Sequence, residues 1–400
     1  MKYIIVVPDG MADHPIPEID NKTPLEVAHT TNMDYLAQRG ITGLVQTIPD
    51  GMSPGSDIGN MAIMGYDPVK YHTGRAPLEA ANQKIILKDN EIAFRCNLIT
   101  TVNGEMADYS AGHIQTKEAS VLIKALNKEL GKDGITFHVG KSYRHLLILK
   151  VADPKSFMKI KTFPPHDILG KDLQSHLPKG KDADLILELM EKSKKIFADH
   201  AVNQVRIDLK ENPADMIWLW GQGTKPLLPS FAEKFGLTGS IISAVDLVNG
   251  IGRIAGLEII DVPGITGYYD TNYLGKAEYA LKSLKKKDFV YIHIEAPDEA
   301  GHNGDLKNKI ASIERIDKDI VGPILNHFDK NDDVRILILP DHPTPVKLRT
   351  HTHEPVCFLM FGKGIIPDGS TGYSESLAKE KGLKFDSAEA MIDYFFKKNI

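Results

Sequence analysis

The sequence predicts an α/β fold: a layered sheet flanked by helices, with a smaller α+β domain inserted into it. Residues 3–7, 289–294 and 334–339 are short, β-branched apolar runs that each end in an acidic turn. Such runs, bounded by turn signals, are typical of buried strands. Helical patterns at 237–256 and 307–328 lie between them, and strands that alternate with helices indicate an α/β sheet.

The middle of the chain has a different pattern, which predicts the inserted α+β domain. We expect the insert at residues 78–207 and one core domain formed by residues 1–77 and 208–400. Within the insert, the strand-like runs are 92–102, 105–114, 135–139 and 145–151, the helix-like runs are 116–130 and 182–200, and 162–181 is a loop.

Composition excludes several classes of protein. The net charge of -5 and the lack of a long basic block argue against a nucleic-acid-binding protein. No stretch approaches the roughly 18 apolar residues of a membrane span, so we expect no membrane partner. The two cysteines, Cys96 and Cys357, lie in apolar surroundings. We expect them to be buried and reduced, as in a cytoplasmic protein.

Acidic and imidazole side chains follow each of the three predicted strands. Asp9 follows the first strand, Asp298 and His302 follow the second, and Asp341 and His342 follow the third. Ligands of α/β sheets gather beyond the carboxyl ends of the strands, so these side chains can converge. Each motif alone is compatible with a turn or a helix surface, but keeping several such groups together is costly without a metal. Carboxylate with imidazole suits Zn, Mn or a similar first-row metal better than Ca.

His351, in the segment RTHTHEP, brings the set to six side chains. Six are too many for one tetrahedral site, but two ions could clamp both oxygens of an in-line phosphoryl displacement. Ser56 follows Pro54 and Gly55 and opens a helical run, where free backbone N–H groups favour a phosphate. Alone it would be an ordinary N-cap. Beside a metal its hydroxyl would have a lowered pKa and could act as the nucleophile.

The same segments resemble a known family. PDG near the start, PGSDIGN around Ser56, DEAGH, PDH and HTHEP occur in the order seen in the alkaline phosphatase superfamily. GYDP, GRAPLEAA, AFRCNLIT, ISAVDLVNGIGRIAGL and GITGYYDTNYLGKAE resemble the cofactor-independent phosphoglycerate mutases of archaeal type. The likeness covers nearly the whole chain. It implies an alkaline-phosphatase-like core, an insert that covers the substrate, and transfer of phosphate from 3-phosphoglycerate to the serine and then to the 2-hydroxyl of the retained glycerate.

The resemblance also implies which residues bind the metals. One divalent ion (Mn, Zn, Co or Mg) would be held by Asp298, His302 and His351, and the other by Asp9, Ser56, Asp341 and His342. His353 lies where the family varies, so we expect it to lie outside the ligand set.

The substrate is expected to be a small phosphorylated molecule. We expect its phosphate and carboxylate to be bound by Arg guanidinium groups, which can form paired hydrogen bonds, and by a Lys ammonium group. For each arginine a structural salt bridge is the alternative. The candidate substrate contacts are Lys276, Arg75, Arg95, Arg144 and His113.

One segment departs from the family pattern. Where archaeal-type mutases carry a stretch like D-R-R-A-G-R-I, residues 108–114 read DYSAGHI. This text, with the PPHD segment at 164–167, resembles a bacterial subgroup proposed to act as homoserine kinase, which is the alternative reading on the same two-metal core. A plain phosphatase and a non-catalytic binding protein are further alternatives; the intact serine and ligand set argue against the last.

Overall fold

The computed structural model describes residues 1–328 and 333–397. The chain divides into two compact units, Met1–His72 with Leu227–Ile400 and Thr73–Pro226. We call them the core unit and the inserted unit. The predicted core range of 208–400 includes residues 329–332 and 398–400, which lie outside the described residues.

Strands and helices are numbered here in chain order through both units, and they alternate along most of the core unit. The strands are β1 Lys2–Pro8, β2 Ile41–Val45, β3 Glu91–Val102, β4 Glu105–Asp108, β5 Ile135–Lys141, β6 Arg144–Lys150, β7 Met216–Thr224, β8 Gly239–Ile242, β9 Glu258–Ile259, β10 Phe289–Ile294, β11 Val334–Ile338, β12 Val356–Gly362 and β13 Lys384–Phe385. The helices are α1 Pro24–Val27, α2 Thr31–Ala37, α3 Ser56–Ile63, α4 Pro68–Tyr71, α5 Arg75–Asn82, α6 Thr116–Leu130, α7 Pro154–Phe157, α8 Ala183–Ala198, α9 Ala201–Asp208, α10 Phe231–Phe235, α11 Asp246–Ile254, α12 Tyr273–Leu284, α13 Ala296–Asn303, α14 Leu306–Ile316, α15 Gly322–His327, α16 Glu375–Lys381 and α17 Ala388–Phe396.

The core unit is built on one sheet, ordered β13-β2-β12-β11-β1-β10-β8-β9 within the described residues. The central strand β1 pairs in parallel with both β10 and β11, so the carboxyl ends of these three strands share one edge. Ile4 and Val6 of β1 pack in a cluster with residues of α2, α12 and α14. On the other face, the Tyr291 hydroxyl donates to Asn60 of α3. The predicted layered α/β sheet flanked by helices is confirmed.

The inserted unit has its own antiparallel sheet and its own core. The long strand β3 pairs with β4, β6 and β7, and β6 pairs with β5. Helices α6 and α8 contribute to the apolar cluster against this sheet. The compact unit, Thr73–Pro226, is longer than the predicted insert of 78–207. The added segment contains β7, which pairs with β3 and therefore belongs to this sheet.

Two element predictions are wrong. The helix predicted at 237–256 contains the strand β8, and helix α11 begins only at Asp246. Short apolar runs such as Gly239–Ile242 do not distinguish a strand from a helix by periodicity. The strand predicted at 105–114 ends at Asp108. The Asp108 carboxylate accepts hydrogen bonds from the backbone N–H groups of Ser110 and Gly112, which folds the chain into a turn.

Among the described residues, no helix is both long and apolar enough to cross a membrane. Cys96 and Cys357 are both buried and free, as predicted.

Candidate active site

Ser56 is the first residue of α3 and lies beside two of the predicted ligands. Its Oγ is 3.4 Å from Asp9 Oδ2 and 3.4 Å from His342 Nε2. Helix α3 can approach the site closely because residue 59 is glycine. A Cβ at Gly59 would lie 2.6 Å from the Asp341 carbonyl oxygen, a distance that real Cβ atoms essentially never show. The glycine therefore lets the serine helix pack directly on the loop that follows β11.

Asp9 and Asp341 follow the neighbouring strands β1 and β11 and are fully buried. The Asp341 carboxylate accepts from the Gly10 N–H at 3.1 Å and from Asn60 Nδ2 at 2.7 Å. Asp9 Oδ1, by contrast, has no hydrogen-bond partner among the described residues. Burial raises the pKa of Asp9 well above its usual range, and the nearby carboxylates of Asp341 and Asp298 raise it further. Without a cation this arrangement is electrostatically unfavourable.

Asp298 and His302 lie one turn apart on α13, directly after β10. His302 Nε2 is 3.4 Å from Asp298 Oδ2, and His351 Nε2 is 3.4 Å from Asp298 Oδ1. Burial would raise the pKa of Asp298, but hydrogen bonds from His302 and His351 bring it well below its usual range. The hydrogen bond to Asp298 in turn raises the pKa of His302 to about 9, against the effect of burial.

The two imidazoles meet through their Nε2 atoms, which are only 2.8 Å apart. His302 Nδ1 lies 3.1 Å from the Arg349 carbonyl oxygen. That oxygen can only accept, so Nδ1 carries a proton; without a cation Nε2 is protonated as well, as the raised pKa indicates, and a bound cation would replace the Nε2 proton. Two nitrogen atoms this close need a proton or a cation between them or beside them. This contact matches a pair of metal ligands.

His342 lies between the two groups. Its ring centroid is 4.1 Å from that of His351, and its Nε2 is 3.5 Å from Asp9 Oδ1 and 3.5 Å from Asp341 Oδ2. The Thr344 hydroxyl donates to the Asp298 carboxylate, so it can accept from His342 Nδ1 at 3.3 Å. With its proton on Nδ1, His342 directs the Nε2 lone pair toward Asp9 and Asp341.

The structure adds a residue that sequence reasoning missed. His293, in β10, is fully buried, and its Nε2 lies 2.9 Å from Asp9 Oδ2. Asp9, His293 and Asp341 form one group whose ligand atoms could surround a metal ion; Asp298, His342 and His351 form another. Burial lowers the pKa of His293 to about 4, so it is neutral near pH 7. Its sequence signal was a single polar residue inside the apolar run FVYIHI.

The donor set fits divalent cations. It combines buried carboxylate oxygens with imidazole nitrogens, the mixture that suits Zn, Mn and related first-row metals. The unpartnered Asp9 Oδ1 and the facing Nε2 atoms of His302 and His351 are the positions that a cation would satisfy. His353, also in the HTHEP segment, is exposed, and its described hydrogen bond uses only its backbone oxygen.

The predicted substrate residues fall in both units. In the core unit, Lys276 is buried and its Nζ donates to the His293 carbonyl oxygen at 2.6 Å. Burial lowers the pKa of Lys276 to about 8, partly offset by Glu295. In the inserted unit, His113 is exposed and its ring lies 6.3 Å from the ring of Tyr143.

The three arginines all belong to the inserted unit. Arg95 Nε is 2.9 Å from Glu79 Oε1, and its guanidinium lies 4.1 Å from the Trp220 ring centroid. Burial lowers the pKa of Arg95 to about 10; Glu79 opposes this effect, and the charges of Arg75 and Arg144 add to it. Arg75 and Arg144 therefore act electrostatically on Arg95, whose charge is paired with Glu79. Their role as substrate contacts stays a prediction.

Known proteins resemble this chain over nearly its full length. A family model described as 2,3-bisphosphoglycerate-independent phosphoglycerate mutase matches residues 37–203. A protein with that name from Methanothrix thermoacetophila is 47% identical over 383 residues, which are 96% of each chain. The chain belongs to the 2,3-bisphosphoglycerate-independent phosphoglycerate mutase family. Another member, the probable mutase of Geobacter sulfurreducens, is 46% identical over 98% of this chain and all of its own.

Solved structures agree with this membership. The cofactor-independent phosphoglycerate mutase of Thermoplasma acidophilum has a TM-score of 0.68 and 26% identity, and the match covers 99% of each chain. A Pyrococcus horikoshii protein has a TM-score of 0.85 and 28% identity, covering 100% of this chain and 98% of its own. The predicted resemblance to the mutase family is confirmed. The family model covers none of the three acidic turns, since the first precedes residue 37 and the others follow residue 203, whereas the matches to full-length relatives cover nearly the whole chain.

Proposed function

We propose that this protein is a phosphoglycerate mutase that interconverts 3-phosphoglycerate and 2-phosphoglycerate through a phosphorylated Ser56. The observation that carries the proposal is the position of the Ser56 hydroxyl, 3.4 Å from both Asp9 Oδ2 and His342 Nε2. Family membership supports the substrate, since full-length relatives are named as mutases. The homoserine kinase alternative is not favoured, because none of these relatives carries that name.

Each transfer has a simple balance. In the first, Ser56 Oγ bonds to phosphorus while the bond from phosphorus to the 3-oxygen of the glycerate breaks; Ser56 loses a proton and the released 3-oxygen gains one. In the second, the 2-oxygen of the same glycerate bonds to phosphorus while the bond to Ser56 Oγ breaks; the 2-hydroxyl loses a proton and Ser56 Oγ regains one. No water is consumed, so the retained glycerate must be held in place. Catalysis then depends mainly on positioning and electrostatics.

The core unit supplies the nucleophile and the proposed metal ligands. We assign Asp298, His302 and His351 to one divalent cation, and Asp9, Ser56, Asp341 and His342 to a second. The two groups described above each contain part of one set, Asp298 with His351 and Asp9 with Asp341; His302 is added because it contacts Asp298, and His342 is moved to the second set because its Nε2 lies near Asp9 and Asp341. When bound there, Mn²⁺, Zn²⁺, Co²⁺ or Mg²⁺ would lower the pKa of the serine hydroxyl and stabilise negative charge on the transferred group. The start of α3 adds free backbone N–H groups next to Ser56.

Three arginines of the inserted unit are proposed substrate contacts. We assign Arg75, Arg95 and Arg144 to the phosphate or carboxylate, because planar guanidinium groups can bind either through paired hydrogen bonds. Arg75 and Arg144 both act electrostatically on Arg95, which is also paired with Glu79. Lys276 and His113 are the remaining proposed contacts. We also propose a cytoplasmic location, which the free thiols of Cys96 and Cys357 support.

The proposal is tested by assaying 3-phosphoglycerate isomerisation with the Ser56→Ala variant. Loss of a nucleophile should lower kcat by on the order of 10⁴-fold or more. The exposed Ser53, in the same loop, gives the matched control Ser53→Ala, which should keep wild-type kcat. A wild-type rate in the Ser56→Ala variant would reject the nucleophile. Phosphorylation of homoserine by ATP in wild-type protein, without isomerisation, would reject the mutase assignment.

A further inference from the structure

We propose that Lys309 is a positioning residue, whose buried ammonium group fixes Thr344 where the Thr344 hydroxyl connects Asp298 with His342. The inference rests on the proposed metal-binding function, in which Asp298 and His342 are assigned to different cations. The role is indirect, because Lys309 acts through the backbone of Thr344 rather than as a ligand.

Lys309 belongs to α14, and its side chain is fully buried. Its Nζ donates to Asp13 Oδ2 at 2.7 Å and to the carbonyl oxygens of Thr344 at 2.8 Å and Ala12 at 3.3 Å. An ammonium group has three protons to donate and no lone pair, so these three acceptors satisfy it completely. A buried polar network whose members are all satisfied rigidifies the groups that it joins.

Three chain segments that carry proposed metal ligands meet at this ammonium group. The loop after β1, which begins with Asp9, supplies the carboxylate of Asp13. The loop after β11, which also contains His342, supplies the carbonyl group of Thr344. Helix α14 itself follows α13, which carries Asp298. The position of Lys309 therefore bears on both proposed ligand sets.

Thr344 uses its N–H, its carbonyl oxygen and its hydroxyl in this network. The N–H donates to the Ala12 carbonyl oxygen at 3.2 Å, and the carbonyl oxygen accepts from Lys309. The hydroxyl donates to the Asp298 carboxylate and can accept from His342 Nδ1, which lies 3.3 Å away. The backbone contacts thus determine where the hydroxyl lies, and the hydroxyl orients one proposed ligand of each cation.

The surroundings of Thr344 leave little room for another position of this loop. A Cβ at Gly301, in α13, would lie 2.3 Å from the Thr344 carbonyl oxygen, so the helix packs directly against the group that Lys309 binds. Asp13 Oδ2 also accepts from the Val346 N–H at 3.0 Å, which ties the loop on the other side of Thr344. Loss of the ammonium group would leave buried acceptors without a donor, which is costly. We therefore expect the loop to shift when Lys309 is replaced.

The test measures Mn²⁺ affinity of the full-length, metal-stripped protein by calorimetric titration, with circular dichroism to verify folding. Thr344→Val removes the hydroxyl that contacts two proposed ligands, and we expect the Mn²⁺ affinity to fall by about 10–100-fold. Lys309→Met removes the three donors from a side chain of similar length and should lower the affinity by about 10-fold. The exposed Lys307, in the same helix, gives the matched control Lys307→Met, which should bind Mn²⁺ as the wild type does.

The double variant Lys309→Met/Thr344→Val distinguishes positioning from a general structural role. If Lys309 acts by placing the Thr344 hydroxyl, its removal has little further effect once that hydroxyl is gone. The double variant should then bind Mn²⁺ within about twofold of Thr344→Val alone. Effects that are independent multiply, so a purely structural role of Lys309 predicts a further loss of about 10-fold in the double variant.

If Lys309→Met does not fold, Asp13→Leu is added to it and the same cycle is run, because replacing both partners of a buried ion pair is better tolerated than removing one. Wild-type Mn²⁺ affinity after folded replacement of Lys309, or losses that multiply when Thr344→Val is added, overturns the inference. A wild-type protein that does not bind Mn²⁺ overturns the proposed metal-binding function, and the role of Lys309 falls with it.

Discussion

The two compact units differ in how their buried charges are neutralised. In the inserted unit, the buried Arg206 is paired with two acidic side chains of the same unit, Glu118 and Glu211.

In the core unit, Asp9, Asp298 and Asp341 are buried around one another, and their described charged neighbours are mainly histidines. The buried Lys309 pairs instead with Asp13, at 2.7 Å.

The difference separates structural charge from functional charge. A buried charge that the chain neutralises itself needs nothing further to be stable, and breaking the pair harms the fold. Buried carboxylates without such partners are expensive to keep, and they become favourable when a cation binds. The contrast assigns a structural role to Arg206 and a cation-binding role to the carboxylates around Ser56.

The largest predicted effect comes from removing divalent ions. Exhaustive chelation should abolish mutase activity, and it should lower hydrogen-exchange protection at the ends of β1, β10 and β11. An ion at about 1,000 times its Kd stabilises the state that binds it by about 4 kcal/mol, and chelation removes this contribution. Protection of β3 and β6 should not change. Equal loss of hydrogen-exchange protection in both units would contradict the proposed difference between them. Full activity after chelation would contradict the need for a divalent ion.

The second prediction concerns Asn60, which connects the serine helix to a proposed ligand. Its Nδ2 donates to Asp341 Oδ2 at 2.7 Å and to the Ser56 carbonyl oxygen at 2.9 Å. Asn60→Ala should lower kcat by about 10–100-fold. Tyr291→Phe removes only the hydroxyl that donates to Asn60 Oδ1, so its loss should be smaller. A larger loss in Tyr291→Phe than in Asn60→Ala would contradict the assigned roles.

The third prediction tests the structural charge of the inserted unit. Arg206 donates to Glu118, to the Ala111 carbonyl oxygen and to the Asn212 carbonyl oxygen. Arg206→Met should destabilise the inserted unit by about 1–3 kcal/mol, because buried acceptors lose their donor. Urea unfolding followed by hydrogen exchange in β3 measures this change. The exposed Lys128→Met is the control. An unchanged unfolding midpoint for Arg206→Met would contradict the structural role assigned to Arg206.

The last prediction is a pH dependence in the same unit. Burial lowers the pKa of His145 to about 3. Below about pH 6.5 the unfolded chain gains a proton at this position that the folded chain does not accept, so stability falls as the pH drops toward 3. His145→Leu removes this dependence. As the pH falls from 7 to 4, the free energy of unfolding of the variant should therefore increase relative to that of the wild type. A constant difference over that range would contradict the assignment.

The sequence predicted the helices and strands whose residues follow a clear periodicity or begin at a turn signal. The spacing of Asp298 and His302 placed both on one turn of α13, and Pro54-Gly55 marked the start of α3. Short elements were not predictable in the same way. β8 has four residues and lies where an apolar helical pattern was equally consistent, and β7 joins the insert only through pairing with a distant strand.

The site was predictable where its residues follow strands, because parallel strand ends share an edge. His293 was missed because it lies inside β10, where its contact with Asp9 depends on strand pairing rather than on any local motif. The tautomers of His302 and His342 likewise depend on the Arg349 carbonyl oxygen and the Thr344 hydroxyl, which only the fold brings near.

The most direct test of the central claim is an anomalous difference map from crystals of the Mn²⁺-loaded protein. The account predicts two manganese peaks, one in contact with Asp298, His302 and His351, and the other in contact with Asp9, Asp341, His342 and the Ser56 hydroxyl. A map with no peak among these side chains, or with both peaks away from Ser56, would contradict it.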